Sequence, residues 1–279
     1  MSKIGSSERP DWPLAVVVGA GGMGMAAARR LAQRHRILIA DLNPARASWA
    51  AEALRSEGGD AVGMACDVTE PLAVALLCEE VAELGGFQVL AQVAGLSPSM
   101  GDFRTIIGVN LLGATAVADG LRPFAPVGGA AILIASLAAH GFSPTDAVEA
   151  LLRNPDDRAL ADKLARELGD AQATPQMAYT LSKHGLITYC RRQAPAWGER
   201  GARIVSLSPG LIATPQGARE FEKSASKFRL YEQTPLRREG TMLEIADAIE
   251  FLASDKASFI SGTDLLIDGG LYAALSTGS

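Results

Sequence analysis

With 279 residues the chain has room for about two average domains or one large α/β layer structure, and in either case for a substantial core. Hydrophobic residues at 48% and charged residues at 20% exclude a disordered or low-complexity chain. A net charge of −5 with no basic run argues against a nucleic-acid partner and toward a small soluble ligand. Cys66, Cys78 and Cys190 show neither Cys-x-x-Cys spacing nor the density of a disulfide framework, which points to a reducing, cytoplasmic setting.

Residues 1–11 are mostly polar, and a flexible N-terminal segment is expected there, with the folded unit running from 12 to 279. Leu14 to Ala28 is uncharged throughout, but it carries four glycines and falls short of the roughly 20 residues a membrane span needs. It is read instead as a strand, Leu14–Gly19, a tight loop and a helix, Met23–Arg34. Gly19-Ala20-Gly21-Gly22-Met23-Gly24 spells G-x-G-x-x-G in that setting, where glycines let a pyrophosphate approach backbone N–H groups at a helix N-terminus.

A second strand, Arg36–Asp41, ends on an acid 17 residues after Gly24, placed to accept hydrogen bonds from an adenosine ribose. A 2′-phosphate there meets like charge, which favours NAD over NADP, although Arg46 in the next turn offers a phosphate partner. Asn43 caps and Pro44 opens a helix to Glu57. Further apolar runs at Ala61–Cys66, Gln88–Ala91, Ala130–Ser136, Arg203–Ser208 and Thr263–Asp268 alternate with helical segments at Pro71–Leu84, Phe103–Leu121, Gln176–Trp197 and Met242–Ala253. Strands that are apolar on both faces, separated by helices, predict a doubly wound (Rossmann) parallel sheet of seven strands in one domain.

The rhythm breaks once, over residues 140–174. Ser143-Pro144 reads as a helix start, Asn154-Pro155 as a stop, and Leu160, Leu164 and Leu168 repeat at helical spacing before Gly169, so an inserted helix pair is expected. The pair either closes over a substrate, alters assembly, or decorates the surface. In Gln176–Trp197, Tyr179 and Lys183 stand four residues apart on one helix face. A free tyrosine titrates at about 10, so a base near neutrality needs about 4 kcal/mol of help, which a neighbouring ammonium and an oxidised nicotinamide can supply. Ser136 falls at the carboxyl end of its strand, where open α/β sheets place ligand contacts.

In this order, with Cys66-Asp67-Val68, Val93-Ala94-Gly95, Val109-Asn110, Ser208-Pro209-Gly210 to Thr214, and Ile260-Ser261-Gly262 to Asp268-Gly269-Gly270, the chain from Leu14 to Gly270 resembles the short-chain dehydrogenase/reductase family. The resemblance implies a tetrad of Asn110, Ser136, Tyr179 and Lys183. Tyr179 is then the acid/base, Ser136 orients the reacting oxygen, Lys183 binds the nicotinamide ribose and acidifies Tyr179, and Asn110 holds a water that links Lys183 to solvent. It further implies cofactor contacts at Gly19, Gly22 and Met23, at Asp41 and Leu42, at Asp67 and Val68 beside adenine, at Ala94 and Gly95, and at Pro209, Ile212 and Thr214 over the nicotinamide. The reaction implied is hydride transfer between NAD(H) and a secondary alcohol/ketone pair. A homo-oligomer is implied too, since members pair through the helices holding Val109 and Tyr179.

The glycine loop lacks the usual threonine, Gln92-Val93-Ala94-Gly95 replaces Asn-Asn-Ala-Gly, and the insertion lengthens the Ser136-to-Tyr179 interval. An insertion at this point resembles that of bacterial 3α-hydroxysteroid dehydrogenase/carbonyl reductase and suggests a bulky apolar carbonyl. His140, His184 and His35 are read as structural, and no residue spacing suggests a metal site. A catalytically silent NAD-binding regulator and an NAD-retaining epimerase or dehydratase are the competing classes.

Overall fold

The computed structural model describes residues 12–155, 157–214 and 225–277. The N-terminal segment 1–11, and residues 215–224 of the variable region from Leu211 to Leu236, lie outside the described residues. Five-residue β1 (Leu14–Val18) is buried at every position and pairs in parallel with β2 (Arg36–Asp41) on one side and β4 (Val89–Gln92) on the other. With β3 (Ala61–Ala65), β5 (Ala130–Ile134), β6 (Arg203–Pro209) and an edge strand at Asp264–Ile267, the sheet runs in the order β3-β2-β1-β4-β5-β6-edge. All six pairings are parallel. The chain reverses its direction of travel across the sheet between β1 and β4, and such a switch point opens a crevice at the carboxyl ends of the strands.

Helices cover both faces. On one side α1 (Gly22–Leu31) and α2 (Pro44–Ser56) pack with the helix Met242–Ala253 over Val17, Ile39, Ala91 and Ile132. On the other, α3 (Pro71–Glu83), α4 (Phe103–Ile107), α5 (Ala114–Leu121) and the long helix Pro175–Gly198 cover Val16, Leu38, Leu90 and Leu133. Buried apolar layers on both sides explain why the strands read as continuous hydrophobic runs. The segment expected as one helix over Phe103–Leu121 is interrupted by a π-helical turn at Gly108–Gly113. Gly113 faces Val68, whose Cγ2 would lie 2.5 Å from any Cβ there, so a side chain at the end of this turn would collide.

The inserted pair is present as α6 (Asp146–Leu152) and α7 (Leu160–Leu168). Its first helix begins later than Ser143-Pro144 indicates, because Thr145 is the cap, with Oγ1 accepting the Val148 N–H at 3.3 Å. Val148, Leu152, Leu160 and Leu164 join the same buried cluster as Phe103, Ile106 and Leu181. Polar contacts also fasten it, the exposed ion pair of Arg104 Nε with Asp162 Oδ1 at 2.6 Å and the part-buried contact of His184 Nε2 with Glu149 Oε2 at 3.1 Å, secondary to the apolar burial. Leu164→Ala is expected to destabilise the whole fold by about 2–5 kcal/mol, read as a lower denaturant midpoint with an unchanged slope.

Candidate active site

The carboxyl ends of β1 to β6 build one cleft of about 2410 Å³. After β1, the chain turns at Gly19 into α1, whose cap residue Gly21 offers no side-chain hydrogen bond to the first turn. The first-turn N–H groups therefore face the cleft without a side-chain partner. A Cβ on Gly24 would sit 1.8 Å from the Gly19 carbonyl oxygen, so only glycine lets the helix start this close to the loop. After β2, Asp41 is 6% exposed, and its carboxylate is tied down by three donors. Oδ2 accepts the Ala20 N–H at 2.8 Å; Oδ1 accepts the Asn43 N–H at 2.9 Å and faces Arg46 Nη1 at 3.3 Å. The acid thus fixes the glycine loop while remaining at the cleft wall.

Beyond β4 and β5 lie the residues expected to carry chemistry. Lys183 is 4% exposed; its Nζ donates to the Ile134 carbonyl at 2.8 Å and stands 5.7 Å from the centre of the Tyr179 ring. Burial lowers its pKa from 10.5 to about 8, because a fully enclosed ammonium loses its hydration. Asn110, fully buried in the π-helical turn, donates from Nδ2 to the Leu96 carbonyl at 2.9 Å and accepts the Leu96 N–H at Oδ1, 2.7 Å. Its amide thus ties the turn to the backbone after β4, with one N–H and one oxygen lone pair beyond those two bonds. Asn110 and Lys183 converge at Gly95, where a Cβ would lie 3.2 Å from Asn110 Oδ1 and 3.4 Å from Lys183 Nζ. Ser136 follows β5, and its Oγ accepts the Ala138 N–H at 3.2 Å, leaving its own hydrogen available to donate.

Gly19, Gly22, Met23, Asp41, Leu42, Asp67, Val68, Ala94 and Gly95 line one stretch of this cleft, and Ser136, Tyr179, Lys183, Pro209, Ile212 and Thr214 continue it. Asn110 lies behind the wall. Helices α6 and α7 contribute no wall among the described residues; the insertion reaches the cleft only at its root, through Gly141 and Phe142. Cleft residues that sequence reasoning did not single out include Met100, Phe142, Met177, Leu230, Tyr272 and Leu275. They come from five separate segments, and no local spacing marks them. Gln92, at the departure from Asn-Asn-Ala-Gly, is buried with no partner for either amide atom among the described residues. No group of three or more metal-ligating side chains occurs among the described residues, and no described helix is long and apolar enough to cross a membrane.

A parallel sheet with this switch point, a glycine loop held by a strand-end acid, and a cleft joining both to a Tyr/Lys pair defines the class of dinucleotide-dependent oxidoreductases. A family model described as enoyl-(acyl carrier protein) reductase matches residues 18–173 and 168–272. Short-chain dehydrogenase/reductase bsc3 of Alternaria brassicicola is 31% identical over 266 residues, covering 94% of this chain and 96% of that protein. The 3-alpha-hydroxysteroid dehydrogenase/carbonyl reductase of Comamonas testosteroni is 31% identical over 197 residues, covering 68% of this chain and 74% of its own. A solved short-chain dehydrogenase/reductase from Serratia marcescens superposes with a TM-score of 0.74 at 22% identity, covering 95% of this chain and all of its own, which supports the fold alone. The chain belongs to the short-chain dehydrogenase/reductase family and is an NAD(P)-dependent oxidoreductase.

Proposed function

We propose that the protein interconverts a secondary alcohol and a ketone with NAD(H), using Tyr179 as general acid/base. The observation that carries this reading is the buried Lys183 ammonium, 5.7 Å from the Tyr179 ring and hydrogen-bonded to Ile134, two residues before Ser136. Burial penalises that positive charge, and a negative charge developing on the phenol oxygen relieves the penalty, so each group favours the ionised form of the other. In the oxidative direction Tyr179 takes the alcohol proton at Oη, and in the reductive direction it returns it. Ser136 donates to the reacting oxygen and orients it, while Asn110 positions the Leu96 backbone and thereby the wall at Gly95 beside Lys183.

The residues fit a nicotinamide dinucleotide. The cradle at Gly24, which a single Cβ would fill, leaves backbone N–H groups of Gly22 and Met23 for a pyrophosphate, and Asp41 with Leu42 stands where an adenosine ribose would lie. Asp67 and Val68 flank adenine, Ala94 and Gly95 line the middle, Pro209, Ile212 and Thr214 cover the nicotinamide end, and Tyr179 with Lys183 holds its ribose. When bound, the dinucleotide supplies the hydride acceptor or donor. Asp41, negative and walled in, favours NAD over NADP. Asp41→Ala is expected to raise kcat/KM for NADPH relative to NADH by at least about tenfold, since it removes the repulsion and frees Arg46 for a phosphate. A wild type that already prefers NADPH overturns this assignment.

A cleft walled by Met100, Phe142, Met177, Leu230 and Leu275 suits a bulky apolar ketone, in keeping with the steroid-acting relative. Free Cys66, Cys78 and Cys190 suit a cytoplasmic setting. A homo-oligomer that pairs through the helices holding Val109 and Tyr179 is part of the same reading. A panel of ketones and secondary alcohols followed at the NADH absorbance tests the reading; absence of turnover with both dinucleotides across the panel overturns it.

A further inference from the structure

Outside the tetrad, one buried polar chain ends at the substrate side of the cleft. Asp264, on the edge strand, has 3% of its side chain exposed and accepts at Oδ1 from Ser208 Oγ at 3.0 Å. Its Oδ2 meets His140 Nε2 at 2.9 Å. His140 is the last residue before the cleft-lining Gly141 and Phe142. Its ring lies against that of Tyr272, with centroids 5.4 Å apart and planes at 59°. Tyr272 sits in the short helix Leu271–Thr277, whose start is pinned by Asp268, Oδ2 accepting the Tyr272 N–H at 2.6 Å. The Tyr272 side chain lines the cleft, and its hydroxyl has no hydrogen-bond partner among the described residues. The ring is thus backed by an anchored imidazole, and among the described residues the phenol tip is left without a hydrogen-bond partner.

Building on the carbonyl/alcohol reading above, we infer that Tyr272 is a substrate-contacting specificity residue for ketones and alcohols that carry a ring, and that His140, fastened to Asp264, is its positioning residue. An aromatic wall offers a flat, poorly hydrated face that a cyclic skeleton covers in one contact, whereas a short acyclic chain covers little of it. The hydroxyl at its rim adds a single donor or acceptor for a polar substituent remote from the reacting carbon. A carboxylate buried behind an imidazole keeps that ring from turning, as second-layer carboxylates do for functional histidines elsewhere. The wall is therefore pre-set, and the ring-bearing substrate does not have to order it.

The test compares kcat/KM for a substituted cyclohexanone with that for 2-butanone, using NADH and the full-length protein. Tyr272→Ala is expected to lower the cyclic-over-acyclic ratio by tenfold or more, chiefly through KM for the cyclic ketone. Tyr272→Leu, which keeps bulk but loses the aromatic face, is expected to lower it as well and guards against a variant that misfolds. His140→Gln keeps a donor for Asp264 but removes the ring; it is expected to lower the same ratio, and the double variant with Tyr272→Ala is expected to fall no further than Tyr272→Ala alone. An unmoved ratio in both Tyr272 variants overturns the specificity role. Fully additive losses in the double variant overturn the positioning role of His140. If wild type turns over neither ketone with NADH or NADPH, the underlying carbonyl reading falls, an outcome distinct from turnover of both without ring preference, which sinks this inference alone.

Discussion

Tyr179→Phe is expected to lower kcat by about a thousandfold while leaving NADH affinity, measured by fluorescence titration, within about twofold of wild type. The substitution removes one oxygen from a half-buried ring and keeps the ring near Lys183. What disappears is the hydroxyl assigned to take the alcohol proton and return it. The expected size follows from general acid/base catalysis, which contributes about 10²–10⁴-fold. Retention of more than about a tenth of wild-type turnover overturns the assignment of Tyr179. Loss of NADH binding in the variant, by contrast, would mean that Tyr179 holds the dinucleotide more than it moves a proton.

The framework around Tyr179 was legible because its signals are local. Arg36–Asp41 is apolar until its last residue, and Asp41 ends the strand in the structure as the sequence indicates. Thr241 and Glu244 form the reciprocal hydrogen bonds of a capping box, so Met242–Ala253 begins and ends where expected. Signals weaken where a long-range contact decides. At Ser143-Pro144-Thr145 two hydroxyl residues on either side of the proline compete as caps, and Thr145 wins through its bond to Val148. The π-helical turn at Gly108–Gly113 leaves no trace in the periodicity along the helix. Asn110 stands out in the sequence, but its backbone partner Leu96, 14 positions away, carries no local signal. Tyr272 is the extreme case, since its orientation depends on His140 and Asp264, which are 124 positions apart.

Lys183→Met is expected to cripple turnover by at least about a hundredfold and at the same time to remove a pH dependence of stability that wild type shows. In the folded state burial lowers the Lys183 pKa to about 8, against an ordinary 10.5. Below about pH 8 folded and unfolded chains both hold the proton, and the cost of burying the charge is present in full. Between about 8 and 10.5 the unfolded chain binds more protons than the folded one, so this group makes stability rise with pH; above that range the cost is gone. The unfolding free energy of wild type minus that of Lys183→Met is therefore expected to shift in favour of wild type by about 2 kcal/mol between about pH 7.5 and about pH 10, measured by urea denaturation without dinucleotide. The Ile134 carbonyl that loses its donor in the variant costs the same at every pH and drops out of the difference. A flat difference would mean that the ammonium is not buried as described, and the mutual stabilisation of Lys183 and Tyr179 would lose its source. A rising difference together with lost turnover would show that the fold tolerates a desolvated cation at the cleft because the reaction uses it.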